Sequence, residues 1–132
     1  MNIFRDKERC ASLLLRCGLS FAFLYAAIAA FFDPFSWIGF FPSFAHSIIP
    51  NDILLLSLFG CMESALALWL LLGKRLFLPS VFAALLLFGI VAFNWKSMDI
   101  LFRDVSLGFM ALALCVESYH KKSPRASDAP AT

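Results

Sequence analysis

The chain has 132 residues, of which 61% are hydrophobic and 15% charged, and its formal net charge is +2. That is the balance of a membrane protein, because a soluble domain confines apolar residues to faces with a period of 2 or 3.6, whereas here apolarity runs all round for many turns. The composition excludes a soluble enzyme, and a charge this small, accounted for by membrane topology, leaves nothing for nucleic-acid binding.

The expected fold is all-α, a polytopic antiparallel bundle of four transmembrane helices over about 11–32, 53–73, 76–95 and 100–118, in contact with the lipid bilayer. A cytoplasmic segment, 1–10, precedes it and a polar, disordered cytoplasmic tail, 119–132, follows. The first span carries Arg5, Lys7 and Arg9 ahead of it and Ala27-Ile28-Ala29 near its end, a pattern that also fits a cleaved signal peptide. Against cleavage, the apolar stretch is longer than a usual signal core and bears Tyr25 and several Phe up to that site. Cleavage would leave three spans of unchanged orientation.

The connection over 33–52 runs through Asp33-Pro34 and Trp37-Ile38-Gly39-Phe40-Phe41-Pro42-Ser43-Phe44, too aromatic to sit in water. Two readings fit it: an interfacial segment whose rings lie at headgroup depth, and a lid over a cavity open to the outer face. The second span, Ile53 to Gly73, ends at Gly73-Lys74-Arg75, a turn so short that the second and third spans form a helical hairpin. Leu76 to Trp95 is an uncharged third span. In the fourth, the uncharged stretch Val105 to Val116 is too short to cross, so Arg103 and Asp104 are drawn into the helix.

Charge sorting agrees with this division. Arg5, Lys7, Arg9, Arg16, Lys74, Arg75, Lys121, Lys122 and Arg125 fall on one side, Lys96 and Arg103 on the other, which places both termini in the cytoplasm. Cys10, Cys17, Cys61 and Cys115 show neither C-x-x-C nor zinc-ligand spacing and are expected to be small buried hydrophobes. His46 and His120 lie on opposite sides of the membrane, so no metal site forms from them. No glycine-rich phosphate loop or serine elbow is present, and no intrinsic cofactor is expected.

The chemistry therefore rests on intramembrane charge. Glu63 sits near the middle of the second span, roughly 15 Å from its outer end, where a carboxylate is costly and asks for a role in handling protons, quinones or polar ligands, or for a structural tie between helices. Arg16, Ser20, Phe23 and Ala27 share one face of the first span; Ser57, Gly60, Ser64 and Ala67 share one on the second, with Glu63 at its border; Arg103, Ser106, Met110 and Ala113 share one on the fourth. The expected interior holds Glu63, Arg16, Arg103 and Asp104. Side chains lean toward their helix N-terminus, so Arg16 and Glu63 diverge, and Arg103 is the better partner for Glu63. Without a cation, Glu63 is carried as the neutral acid, hydrogen-bonded to a hydroxyl or water. Simpler roles are open to its neighbours: Arg16 snorkelling to headgroups, Asp99 and Asp104 favoured at a helix N-terminus, and Arg103 anchoring the outer interface.

The runs Arg16-Cys17-Gly18-Leu19, Phe23-Leu24-Tyr25, Asp33-Pro34, Trp37-Ile38-Gly39-Phe40-Phe41-Pro42, Glu63 ahead of Leu70-Leu71-Leu72-Gly73, and Phe102-Arg103-Asp104-Val105 before Ala111-Leu112-Ala113-Leu114 resemble the DoxX-like family of small four-helix integral membrane proteins. The resemblance covers about Leu13 to Leu114. It implies a bacterial or archaeal plasma-membrane protein, with some relatives serving as subunits of quinone-linked oxidoreductases such as the thiosulfate to quinone enzyme. A quinone near the site and an oxidoreductase partner are thus expected from the resemblance. The cysteine-rich motif of the related methylamine-utilisation branch is absent. The alternative is a small proton-coupled transporter acting as a homo-oligomer, resembling the small multidrug-resistance proteins, though those carry their intramembrane glutamate in the first span.

Overall fold

Proline and glycine mark several of the helix ends in this chain. The computed structural model describes residues 2–122 and is all-helical. α1, Asn2–Phe32, stops before Asp33-Pro34, because a proline ring forbids helical geometry in the residue ahead of it, and Asp33 has φ −134° and ψ 74°. Two short helices follow, α2 over Pro34–Ile38 and α3 over Ser43–Ile48. α4, Asp52–Leu72, begins at Asn51, whose side-chain oxygen accepts from the Ile53 and Leu54 N–H groups at 3.1 and 3.3 Å. It ends on Gly73 at φ +74°, a left-handed conformation that glycine adopts without steric cost. α5, Phe77–Phe93, is followed by a 3-10 turn over Trp95–Ser97 and by α6, Met98–Lys122.

The helices pack as two antiparallel pairs. Gly60 of α4 faces Ala27 of α1, and Ser20 of α1 faces Ala67 of α4, which sets the α1–α4 register. Although the chain turns by only 93° at the break between Phe93 and Trp95, α6 then folds back along α5: Phe88 packs on Phe109 and Phe77 on Tyr119, with ring centroids 5.7 and 5.9 Å apart. The two pairs join in a core of Leu19, Phe23, Leu66, Leu70, Ala83, Ala84, Leu87, Ala111 and Leu114, toward the end where Gly73 turns α4 into α5.

The distribution of residues is that of a protein in an apolar solvent. Large side chains such as Leu14, Phe21, Leu72, Leu85 and Phe109 lie on the outside, whereas Ser12, Ser20, Ser80 and several alanines are buried, as helices in lipid pack through small residues. Two helices, α1 and α4, are long and apolar enough to cross a membrane, and a third crossing is added if α5 and α6 count as one broken span.

Several boundaries differ from expectation. α1 begins at Asn2 and not near residue 11, so most of the segment expected to precede the first span continues its helix. α6 extends to Lys122, making 119–122 helical where a tail was expected, while residues 123–132, with Arg125, lie outside the described residues. The 33–52 connection folds into α2 and α3. The cysteines also depart from their expected burial, since Cys10, Cys17 and Cys61 are exposed and Cys115 is half-buried. A thiol is weakly polar, and against an apolar solvent the outside of a helix suits it as well as the inside.

Candidate functional site

A cavity of about 1230 Å³ opens between the two helix pairs in the half of the bundle that carries α2 and α3. Small residues make the space. Gly18, Ala22, Ala26 and Ala29 line it along one stripe of α1, Gly60 does so on α4, and a Cβ placed on Gly89 of α5 would meet no atom within 4 Å. Rings and aliphatic chains form most of the remaining wall, including Leu55, Leu56 and Phe59 of α4 and Leu107 of α6.

The connector closes one end. Trp37, Phe40, Phe41 and Phe44 line the cavity. Phe41 meets Phe59 edge-on at 5.1 Å and Phe44 meets Phe93 at 5.5 Å, so the segment rests on both helix pairs. It is held by hydrogen bonds as well. Asn94, at the end of α5, donates from Nδ2 to the Phe40 carbonyl at 2.7 Å, and His46 Nδ1 lies 2.8 Å from Asp52 Oδ1. Ser36 Oγ donates to Asp33 Oδ2 at 2.6 Å.

Of the four charged residues singled out in the sequence, the structure brings three to this cavity. Glu63 is 6% exposed and makes no hydrogen bond or ion pair with any described residue. Among the described residues no sealed side-chain nitrogen or oxygen lacks a partner, so the unpartnered Glu63 carboxyl oxygens are not sealed off from the cavity the residue lines. Asp104 lines the same cavity. Counting along each helix from the connector end, Glu63 lies roughly 16 Å down α4 and Asp104 roughly 9 Å down α6, so two carboxyl groups stand at successive depths.

Arg103 is the third, and it does not do what was expected of it. It forms no ion pair with Glu63; its Nε lies 3.6 Å from Asp104 Oδ1, and its side chain is 56% exposed. The interior face of α6 is accordingly turned by about one residue from the expected Arg103, Ser106, Met110 and Ala113. Leu101, Gly108, Ala111 and Leu114 are buried and Asp104 is nearly so, whereas Arg103, Ser106 and Ala113 are exposed. Gly108 decides this rotation, because the Phe88 ring lies where its Cβ would be, 2.7 Å from Cζ. Only a glycine admits that ring.

Arg16 is not part of the site. It lies at the opposite end of the bundle, donating from Nε to the Leu70 carbonyl at 2.8 Å and from Nη2 to the Leu71 carbonyl. The last carbonyls of a helix have no partner within it and carry partial negative charge, so a guanidinium there satisfies both needs. Arg16 and Glu63 thus diverge, as the lean of their side chains led one to expect. Ser20, one turn further along α1, donates to the Ala67 carbonyl at 3.0 Å.

The residues not foreseen as part of the site are Asn94 and the small stripe of α1. The stripe was visible as Gly18, Ala22, Ala26 and Ala29 at helical spacing, one residue round from the face assigned to the interior. Nothing in the sequence linked Asn94 to a carbonyl so far away along the chain. Compared with protein-family models, curated proteins and solved structures, the chain matches none of them.

Proposed function

We propose that this is a four-span protein of a bacterial or archaeal plasma membrane, with both termini in the cytoplasm, acting as an accessory subunit of a quinone-linked redox system. The cavity carries this reading: a mostly apolar chamber of about 1230 Å³ with the unpaired Glu63 carboxyl at its inner end and Asp104 on its wall. A quinone matches that chemistry. Its tail is satisfied by rings and aliphatic side chains, and its carbonyl accepts a hydrogen bond from a carboxyl that holds a proton. The chain contributes no cofactor-binding motif, so electrons have to come from a partner subunit, and the described residues would bind, orient and protonate.

Four spans are supported by the way α6 returns along α5, which favours a hairpin over one broken span. The cytoplasmic assignment rests on Arg5, Lys7, Arg9, Lys74 and Arg75. One observation also favours a second reading: two carboxyl groups at successive depths in one chamber suit a proton-coupled transporter acting as a homo-oligomer.

The test is recovery of the tagged protein in mild detergent, with intact mass and bound small molecules read by mass spectrometry, for wild type and Glu63→Gln. An oxidoreductase subunit or quinone recovered with wild type and lost with the variant is the expected result. A homo-oligomer alone, unchanged by the substitution, rejects the redox reading, and drug sensitivity on deletion would then favour transport.

A further inference from the structure

The cavity has a side opening, and its position says how a ligand sits. α1 meets α6 at Gly18, where a Cβ would lie 3.2 Å from Met110 Cε. From that contact toward the connector, lining residues on both helices are also on the outside of the bundle: Phe21 and Tyr25 on α1 are 71% and 58% exposed, and Ile100 and Arg103 flank the gap on α6. At the α4–α5 seam only one side is open: Leu85 and Phe93 of α5 are 68% and 63% exposed, but the lining residues of α4 are buried or half-buried. The Phe21 and Tyr25 rings stack with centroids 6.1 Å apart, giving the gap an aromatic jamb. An apolar rim on an apolar helix surface opens to lipid.

We infer that this gap is a lateral portal, and that the site takes a single-chain lipid with an uncharged polar head, the head against Glu63 and Asp104 and the chain leaving between α1 and α6 into the bilayer. The inference rests on the reading of the cavity as a ligand site and adds the class and pose of the ligand. Charge restricts the head. The one cation on the cavity wall, Arg103, is already beside Asp104, so a carboxylate or phosphate head would leave water for an apolar chamber with no free counter-charge among the described residues. Shape restricts the rest. A compact polar solute would leave the ring and alanine walls without contacts, whereas a flexible chain covers them and continues into lipid without a break.

The test uses the full chain in lipid nanodiscs and a benzoquinone bearing a ten-carbon tail that ends in a diazirine. After irradiation, adducts are mapped by peptide mass spectrometry. The expected adducts lie on 21–29 and 100–107, reduced at least fivefold by excess unlabelled decyl benzoquinone and by Ala26→Phe, which plugs the gap. Ala22→Leu is a smaller plug to be used if the first variant does not fold. A probe with a carboxylate head is expected to label at least tenfold less, and equal labelling overturns the assignment of the head. Competed adducts confined to 33–45 mean that the chain leaves past the connector, which overturns the portal and leaves the site standing. Absence of competed adducts throughout the cavity rejects both.

Discussion

Two buried or half-buried charges, one on α1 and one on α4, do opposite work in this molecule, and the difference is measurable. Arg16 is tied to the Leu70 and Leu71 carbonyls, and hydrogen bonds from a charged donor contribute about 1.5–3 kcal/mol in total stability when a partner is removed. Arg16→Ala is therefore expected to destabilise the fold by about that amount, read as a lowered midpoint of thermal unfolding in detergent. Glu63 has no hydrogen-bond or ion-pair partner among the described residues, so Glu63→Gln is expected to change stability by less than about 1 kcal/mol while abolishing ligand recovery. A strongly destabilised Glu63→Gln would instead identify the residue as a tie between helices. Gly73 belongs with Arg16: at φ +74°, with the guanidinium 2.5 Å from its Cβ position, Gly73→Ala is expected to cost at least about 1 kcal/mol.

At the scale of elements, glycines on α5 and α6 separate packing from emptiness. Gly108 accepts the Phe88 ring, so Gly108→Ala drives a methyl group into an occupied space and should destabilise by about 1–3 kcal/mol in the same unfolding measurement. Gly89 faces open space. Gly89→Ala is thus expected to stabilise by about 0.5–1 kcal/mol, since it relieves the entropic cost of glycine in a helix, whereas Gly89→Leu should keep the fold and reduce ligand occupancy by filling the chamber. Loss of stability in Gly89→Ala would mean that the cavity is filled in the membrane by something the substitution displaces. The connector follows the same logic: Asn94→Leu removes its tie to the Phe40 carbonyl and should speed proteolysis between α1 and α4.

For the whole molecule, the consequential feature is asymmetry between its ends. One end is a closed core around Leu70, Ala84 and Leu114; the other is splayed and bridged by aromatic rings. α1 contributes Ser12, Leu19, Ser20 and Phe23 to the buried interior, so removing it after Ala29 would strip one wall from both the core and the cavity. The protein isolated from membranes is accordingly expected to yield peptides of α1 on mass mapping, and an N-terminus at Ala30 would instead identify the segment before it as a signal peptide.

Much of the architecture was legible before any coordinates. Uncharged runs set the helix positions, since burying backbone polar groups in lipid leaves helix as the economical solution for a single segment, and Asp33-Pro34 and Gly73-Lys74-Arg75 marked ends that the structure reproduces within a residue or two. Glu63 stood out by depth alone. The pairing of side chains was not legible, because it depends on how each helix is rotated about its axis, and neighbouring faces of these helices are nearly equal in polarity. The Phe88 ring at Gly108 turned Asp104 inward and Arg103 outward, and the unpaired carbonyls of α4 drew Arg16 to the far end of the bundle. Composition and periodicity determined the helices and their solvent; contacts between residues distant in sequence decided which charges face the chamber, and that there is a chamber at all.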